Sequence, residues 1–179
     1  EAASTATKGT STALTLRVTD GTTEPVEGTV NVRVTASTRS LATANTDTIS
    51  EANQGETVSV PVLENDFNPF PETPLEVVSA VTESGSGTAS IEGDQVVVTP
   101  GADFVGTMTV RYRIQDATGD ADREVDGTVV LTVQGVPEAP GVPGVSSVQD
   151  RTVVLSWSPP SNNGAEITGY TVRSVQGNS

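Results

Sequence analysis

The stretch from Val98 to Val133, VTPGADFVGTMTVRYRIQDATGDADREVDGTVVLTV, limits the possible fold more than any other part of the chain. Met108, Val110, Tyr112 and Ile114 alternate with Thr109, Arg111, Arg113 and Gln115, the period of a strand with one dry face and one wet face. Asp116 to Asp120 supply a polar turn containing Gly119, and Val129, Leu131 and Val133 alternate again on the return. The pattern predicts the closing hairpin of an all-β sandwich.

A second copy of this pattern stands near the N-terminus. Leu14 falls on Val110, Leu16 on Tyr112, Val18 on Ile114, Arg17 on Arg113 and Asp20 on Asp116. After the turn, Gly28 falls on Gly127, Val30 on Val129, Val32 on Leu131 and Val34 on Val133. The offset is 96 residues before the turn and 99 after it, the length of a domain and too long for one solenoid unit. Residues 1–36 therefore read as the last hairpin of a preceding domain.

Residues 37–136 read as a complete sandwich. SLATANTDTIS leads into a first strand, and TVSVPV offers another with Val58, Val60 and Val62 on one face. LENDFNPFPETP is loop, because Asn, Asp and prolines disfavour regular pairing. LEVVSAV, TASIEG and QVVVTP are short strands separated by the turn signals SGSG and GDQ. With the closing hairpin this makes about seven strands, the number expected of an immunoglobulin-like sandwich. Residues 137–144 carry Pro137, Pro140 and Pro143 and read as an extended linker. Residues 145–179 show two further strand patterns, Val153, Leu155 and Trp157, then Ile167, Tyr170 and Val172.

Composition excludes several functions. The chain has no cysteine and no histidine, which removes thiol nucleophiles, disulfides, Cys or His zinc sites and His general bases. A net charge of −14 argues against nucleic acid, which needs clustered Lys and Arg. No run approaches the roughly 20 apolar residues of a membrane helix, so direct membrane insertion is not expected. Val and Thr make up roughly 30% of the residues, side chains that suit a pleated surface, and aromatics only 3%, so the core is aliphatic and thin. Lys8 is the only lysine and lies outside residues 37–136, so no Lys–Asn isopeptide crosslink can form within that domain. The chain opens in polar sequence without a signal peptide at Glu1, which we read as part of a longer protein.

At VLENDFNPF, FVGTMTVRYRIQDATG and the valine-rich return strand, residues 39–135 resemble the bacterial cadherin-like and Ig-like tandem repeats of large exported proteins. The Phe-x-Gly of those repeats corresponds to Phe104 and Gly106, the paired strand positions to Val110 and Tyr112, and the Asp-x-x-Gly turn to Asp116 and Gly119. Residues 145–179 resemble the first strands of a fibronectin type III domain at Trp157, Pro159-Pro160 and ITGYTV. Both resemblances imply non-catalytic spacer and adhesion modules, outside the cell.

The cadherin-like resemblance also implies a place for calcium, an acidic loop offering hard oxygen ligands. Here that loop reads Asn65, Asp66, Phe67, Asn68, Pro69, Phe70, Pro71, Glu72, so most of the alternating carboxylates are replaced. Asp66, Asn68, Glu72 and Asp116, with Asp47 as an alternative to Asp116, form the candidate for a weak calcium site; otherwise no cofactor is expected. The alternative is that Asn65 and Asp66 cap the turn through side-chain to backbone hydrogen bonds. The DATGDAD turn, with Asp116, Asp120 and Asp122, carries the same two readings, cation site or solvated hairpin tip. Trp157 and Tyr170 read either as a sugar-stacking pair or as core. Arg111 and Arg113 share an outward face and read as solubilising partners for acids across the sheet.

No hydroxyl has an evident base, so no enzyme activity is expected. The expected function is a structural and adhesive spacer of a modular, exported bacterial surface protein. Its partners are neighbouring domains of the same chain, with a cell-surface protein or glycan as the further class. The alternative is an accessory region of a secreted polysaccharide-degrading enzyme, and a third reading is direct ligand recognition by the loops of the central domain.

Overall fold

The structure, a computed structural model, describes residues 6–173. Its centre is a seven-stranded sandwich built from β3 (Thr46–Asn53), β4 (Val58–Val60), β5 (Glu76–Ser84), β6 (Gly87–Glu92), β7 (Gln95–Pro100), β8 (Gly106–Gln115) and β9 (Val125–Gln134), preceded by β1 (Ser11–Val18) and β2 (Val26–Arg33) and followed by β10 (Gly144–Gln149) and β11 (Thr152–Ser156). One layer has the order β3-β9-β8-β5 and the other β4-β7-β6. The all-β, immunoglobulin-like sandwich expected from the alternation is the observed fold.

The alternation in β8 and β9 becomes burial. Met108, Val110, Tyr112, Ile114, Val129, Leu131 and Val133 are sealed from solvent, and Val60, Val96 and Val98 meet them from the second layer. Between them Arg111 and Arg113 point outward and pair with Glu83, Glu124 and Asp126 at 2.6–3.6 Å. These pairs are exposed, so solvent screens them and they add little to stability.

Two local features depart from the sequence reading. The expected strand through Val62 stops at Val60, because Pro61 has no N–H to give a ladder; Val62 is still buried, in the turn that follows. The strand pattern at Ile167–Val172 is not a strand, and among the described residues no strand lies beside it to accept its hydrogen bonds.

The first strand of the sandwich pairs in parallel with the last, Thr46 facing Thr128 and Asn53 facing Gln134. In the constant-type immunoglobulin arrangement the first strand sits on the opposite sheet. Parallel pairing places the start of β3 and the end of β9 at opposite poles. The β8–β9 turn, Asp116 to Glu124, stands at the pole where β3 begins.

The N-terminal hairpin has the register of the closing one. Leu14 faces Val30, Leu16 faces Gly28 and Val18 faces Val26, as Val110 faces Val129, Tyr112 faces Gly127 and Ile114 faces Val125. The apolar face differs in environment: Leu16 is 67% exposed where Tyr112 is fully buried.

Candidate functional site

The densest set of polar interactions lies at the pole where β3 begins, around the β8–β9 turn. Asp116 ends β8, and its carboxylate accepts from the Thr118 backbone N–H at 3.0 Å and from the Thr118 hydroxyl at 2.5 Å. Gly119 adopts a positive φ of 63° that closes the turn, donating its N–H to the Asp116 carbonyl at 3.0 Å. Asp120 then caps a single 3-10 turn, Ala121–Arg123, accepting from the Asp122 N–H at 3.0 Å.

That turn delivers Arg123 inward. Its Nε donates to Asp116 at 2.8 Å, and Nη1 and Nη2 donate to the carbonyls of Arg39 and Ser40 at 3.0 and 2.7 Å. The Asp116 side chain is fully buried and that of Arg123 is 10% exposed, so the charge pair is dry and its fork is filled. Burial acts upward on the Asp116 carboxyl, but hydrogen bonds from Thr118 and Arg123 together outweigh it and hold the pKa below the ordinary value. Arg39 lies over the Phe70 ring, 4.8 Å from its centroid, and donates to the Pro69 carbonyl at 2.7 Å. The segment entering the sandwich is thus gripped through both its backbone and its side chain.

A second polar cluster holds the first strand to the core. The Tyr112 hydroxyl donates to the Asn45 carbonyl at 2.9 Å and lies 3.3 Å from both carboxylate oxygens of Asp66. Asp66 accepts from the Asn45 N–H at 2.7 Å, and Asn65 donates to Asp47 at 2.9 Å. Burial, and for Asp47 also the Asp66 charge, pushes both carboxyl pKa values up. Oδ2 of Asp47 is buried and has no hydrogen-bond partner.

These placements separate the residues singled out for calcium. Asp66 faces Asn45 and Tyr112, whereas Asp116 is committed to Arg123. Asn68 ties its own loop, accepting from the Phe70 N–H and donating to the Thr73 carbonyl at 2.8 Å each. Glu72 is exposed on that loop. Among the described residues no three His, Cys, Asp or Glu side chains gather into a group that could hold a metal ion. The capping expected of Asn65 and Asp66 is present in another form, since they reach across to Asn45, Thr46 and Asp47 instead of closing their own turn.

The acids of the hairpin tip are not simply solvated. Asp120 and Asp122 both accept from the ammonium of Lys8, which lies just before β1; the Asp122 contact is 2.6 Å. Trp157 and Tyr170 pack edge to face, with centroids 5.4 Å apart and planes at 68°, so they offer no shared flat face for a sugar ring.

Sequence reading missed Arg123. Its one signal is that it is the only cation in the acidic run from Asp116 to Asp126.

Two solved structures of the endo-fucoidan hydrolase MfFcnA4 from glycoside hydrolase family 107, one of them a variant, are similar to the chain at TM-scores of 0.39 and 0.36, with 16% and 13% identity. They align with 78% and 70% of this chain and 22% and 19% of theirs, so the chain spans about a fifth of their length. Residues 39–132 match the family model described as a bacterial Ig domain. That match takes in the whole clamp from Arg39 to Arg123 and more than half of the sequence, and on it the chain belongs to the bacterial Ig domain family.

Proposed function

We propose that this chain is a non-catalytic, load-bearing spacer segment of a modular, exported bacterial surface protein. Residues 1–36 are read as the closing hairpin of a preceding repeat, and residues 145–179 as the opening of a fibronectin type III domain. Support for the first comes from the register shared by β1–β2 and β8–β9. The bacterial Ig domain family supports the structural role and an extracellular setting.

The parallel ladder between β3 and β9 is the observation that carries this reading. In a tandem protein, tension enters at the start of β3 and leaves at the end of β9, at opposite poles. It runs along the two strands, so the ladder hydrogen bonds are sheared together, whereas a force across an antiparallel hairpin would peel them one by one. With no cysteine and no lysine inside the sandwich, no disulfide or Lys–Asn isopeptide bond shares that load.

Single-molecule pulling of the full chain tests the proposal. The expected trace shows one abrupt unfolding event for the sandwich, releasing about 300 Å of chain, from roughly 3.5 Å per extended residue. Gradual extension at low force would refute a load-bearing role.

A further inference from the structure

We propose that the β8–β9 turn is a docking platform for the preceding unit, with Lys8 as an ionic latch across a short hinge. The proposal rests on the spacer reading and specifies how one of its joints is controlled. Val34 is held in the hairpin, donating to the Thr10 carbonyl and accepting from the Gly9 N–H at 2.9 Å each. Arg39 is already held in the sandwich, its carbonyl accepting from Arg123 and its guanidinium seated on Phe70. Only Thr35 to Thr38 lie between, and among the described residues their one hydrogen bond to either unit is local, the Arg39 N–H donating to the Ser37 hydroxyl at 3.1 Å.

Such a connection bends freely unless something spans it, and Lys8 does so by reaching Asp120 and Asp122. The two fastenings differ in kind. Arg123 is buried, so added salt barely screens it; Lys8 and Asp122 are exposed and open to counter-ions. Ionic strength should therefore release the latch and leave the anchor in place.

The downstream joint is a control within the same molecule. By the offset of 96, the position matching Lys8 in the sandwich is Phe104, so no lysine is available there. That joint is instead fastened by backbone groups, Gly135 N–H to the Asn163 carbonyl at 2.8 Å and Glu138 N–H to the Ser161 carbonyl at 3.0 Å.

The absence of native cysteine makes spin-label distances simple to obtain on the full chain. Labels at Thr22→Cys and Asp103→Cys report the upstream joint, and labels at Asp94→Cys and Asp150→Cys the downstream one. At low salt the upstream distribution should be narrow. Lys8→Ala should abolish the narrow population, Asp122→Ala should broaden it less because Asp120 still holds the ammonium, and the double change should do no more than Lys8→Ala alone. Raising salt to 1 M, where the screening length is about 3 Å, should reproduce the loss in the native chain, add nothing in Lys8→Ala, and leave the downstream pair unchanged. An upstream distribution that Lys8→Ala leaves intact at low salt overturns the latch, as does an equal response to salt at both joints. Neither result alters the force at which the β3–β9 ladder shears, so failure of the latch and failure of the spacer reading are read on different instruments.

Discussion

The ring of Tyr112 occupies the space that a side chain on Gly127 would need: a Cβ there would stand 2.2 Å from Tyr112 Cζ. The two residues are register partners on β8 and β9, and the tyrosine cannot swing aside because its hydroxyl is bonded to the Asn45 carbonyl. Gly127→Ala should therefore cost about 1–3 kcal/mol or more, as overpacking of a filled core does. Thermal melting should show it as a drop of roughly 4–8 °C per kcal/mol for a domain of this size. Gly28, the matching position of the first hairpin, has nothing within 4 Å and no positive φ. Gly28→Ala should be harmless or stabilise β1–β2 by up to about 1 kcal/mol, read as slower amide exchange in that hairpin. Equal penalties at both sites would contradict the account.

Arg123 provides a sharper test. Arg123→Ala strands a fully buried Asp116 carboxylate and frees two backbone carbonyls, so urea denaturation should register a loss of about 3–5 kcal/mol. That is a large share of the roughly 5–15 kcal/mol that holds a typical domain together. Arg123→Lys should recover little, because one ammonium cannot repeat a fork that serves Asp116, Arg39 and Ser40 together. Changing Asp116 and Arg123 jointly to alanine should cost less than the sum of the two single changes. Additive losses would mean that the pair is not coupled as the geometry requires.

The difference between these two sites shows what was legible in the sequence. The core face of β8 and β9 could be read because burial follows the two-residue period of a strand, a local rule. The shared hairpin register could be read because the alternation and spacing that set it are the same in both hairpins, although the environment differs between Leu16 and Tyr112. Arg123 could not, since an arginine in an acidic turn has the composition of a solvated tip. Its partners at Arg39 and Ser40 are more than eighty residues away. The same holds for Asp66, whose partner Asn45 belongs to the approach to β3. The charge of Asp116 is plain in the sequence, but its pairing with Arg123 is not.

Acidification should act on the sandwich in two opposing directions. Asp47 and Asp66 have raised pKa values, chiefly through burial, so the folded form binds their protons more tightly than the unfolded chain does. Their effect is to increase stability as pH falls from neutral through the folded values toward the ordinary 3.8. Asp116, Asp120 and Asp126 have lowered values, so what they contribute is complete above 3.8 and is lost as pH falls further. The midpoint of thermal unfolding should thus rise on mild acidification and then fall below about pH 3.5. Relief of the charge of −14 acts in the same direction as the first effect, so a variant is needed to separate them. Asp47→Asn removes a carboxylate whose Oδ2 is buried without a partner; it should melt higher than the native chain at pH 7 and show a shallower rise toward acid. A lower midpoint at pH 7 would count against the assignment.

Calcium should leave the melting temperature unchanged. A calcium ion takes six to eight oxygen ligands, and of the four candidate residues three are engaged elsewhere, Asp66 toward Asn45 and Tyr112, Asp116 toward Arg123 and Asn68 toward its own loop, which leaves Glu72 exposed on the loop. Binding there would have to break the Arg123 anchor or release the first strand, and either would offset what coordination adds. The size of the alternative makes the experiment decisive. A site with a dissociation constant of about 10 μM, exposed to about 1 mM calcium, would stabilise the fold by about 2.7 kcal/mol. For a domain of roughly 100 residues that is a rise of more than about 10 °C, well outside the error of a melt. Equal midpoints with calcium and with chelator are expected for the full chain and for Asp66→Asn. A rise in the native chain that Asp66→Asn abolishes would restore the loop as a metal site.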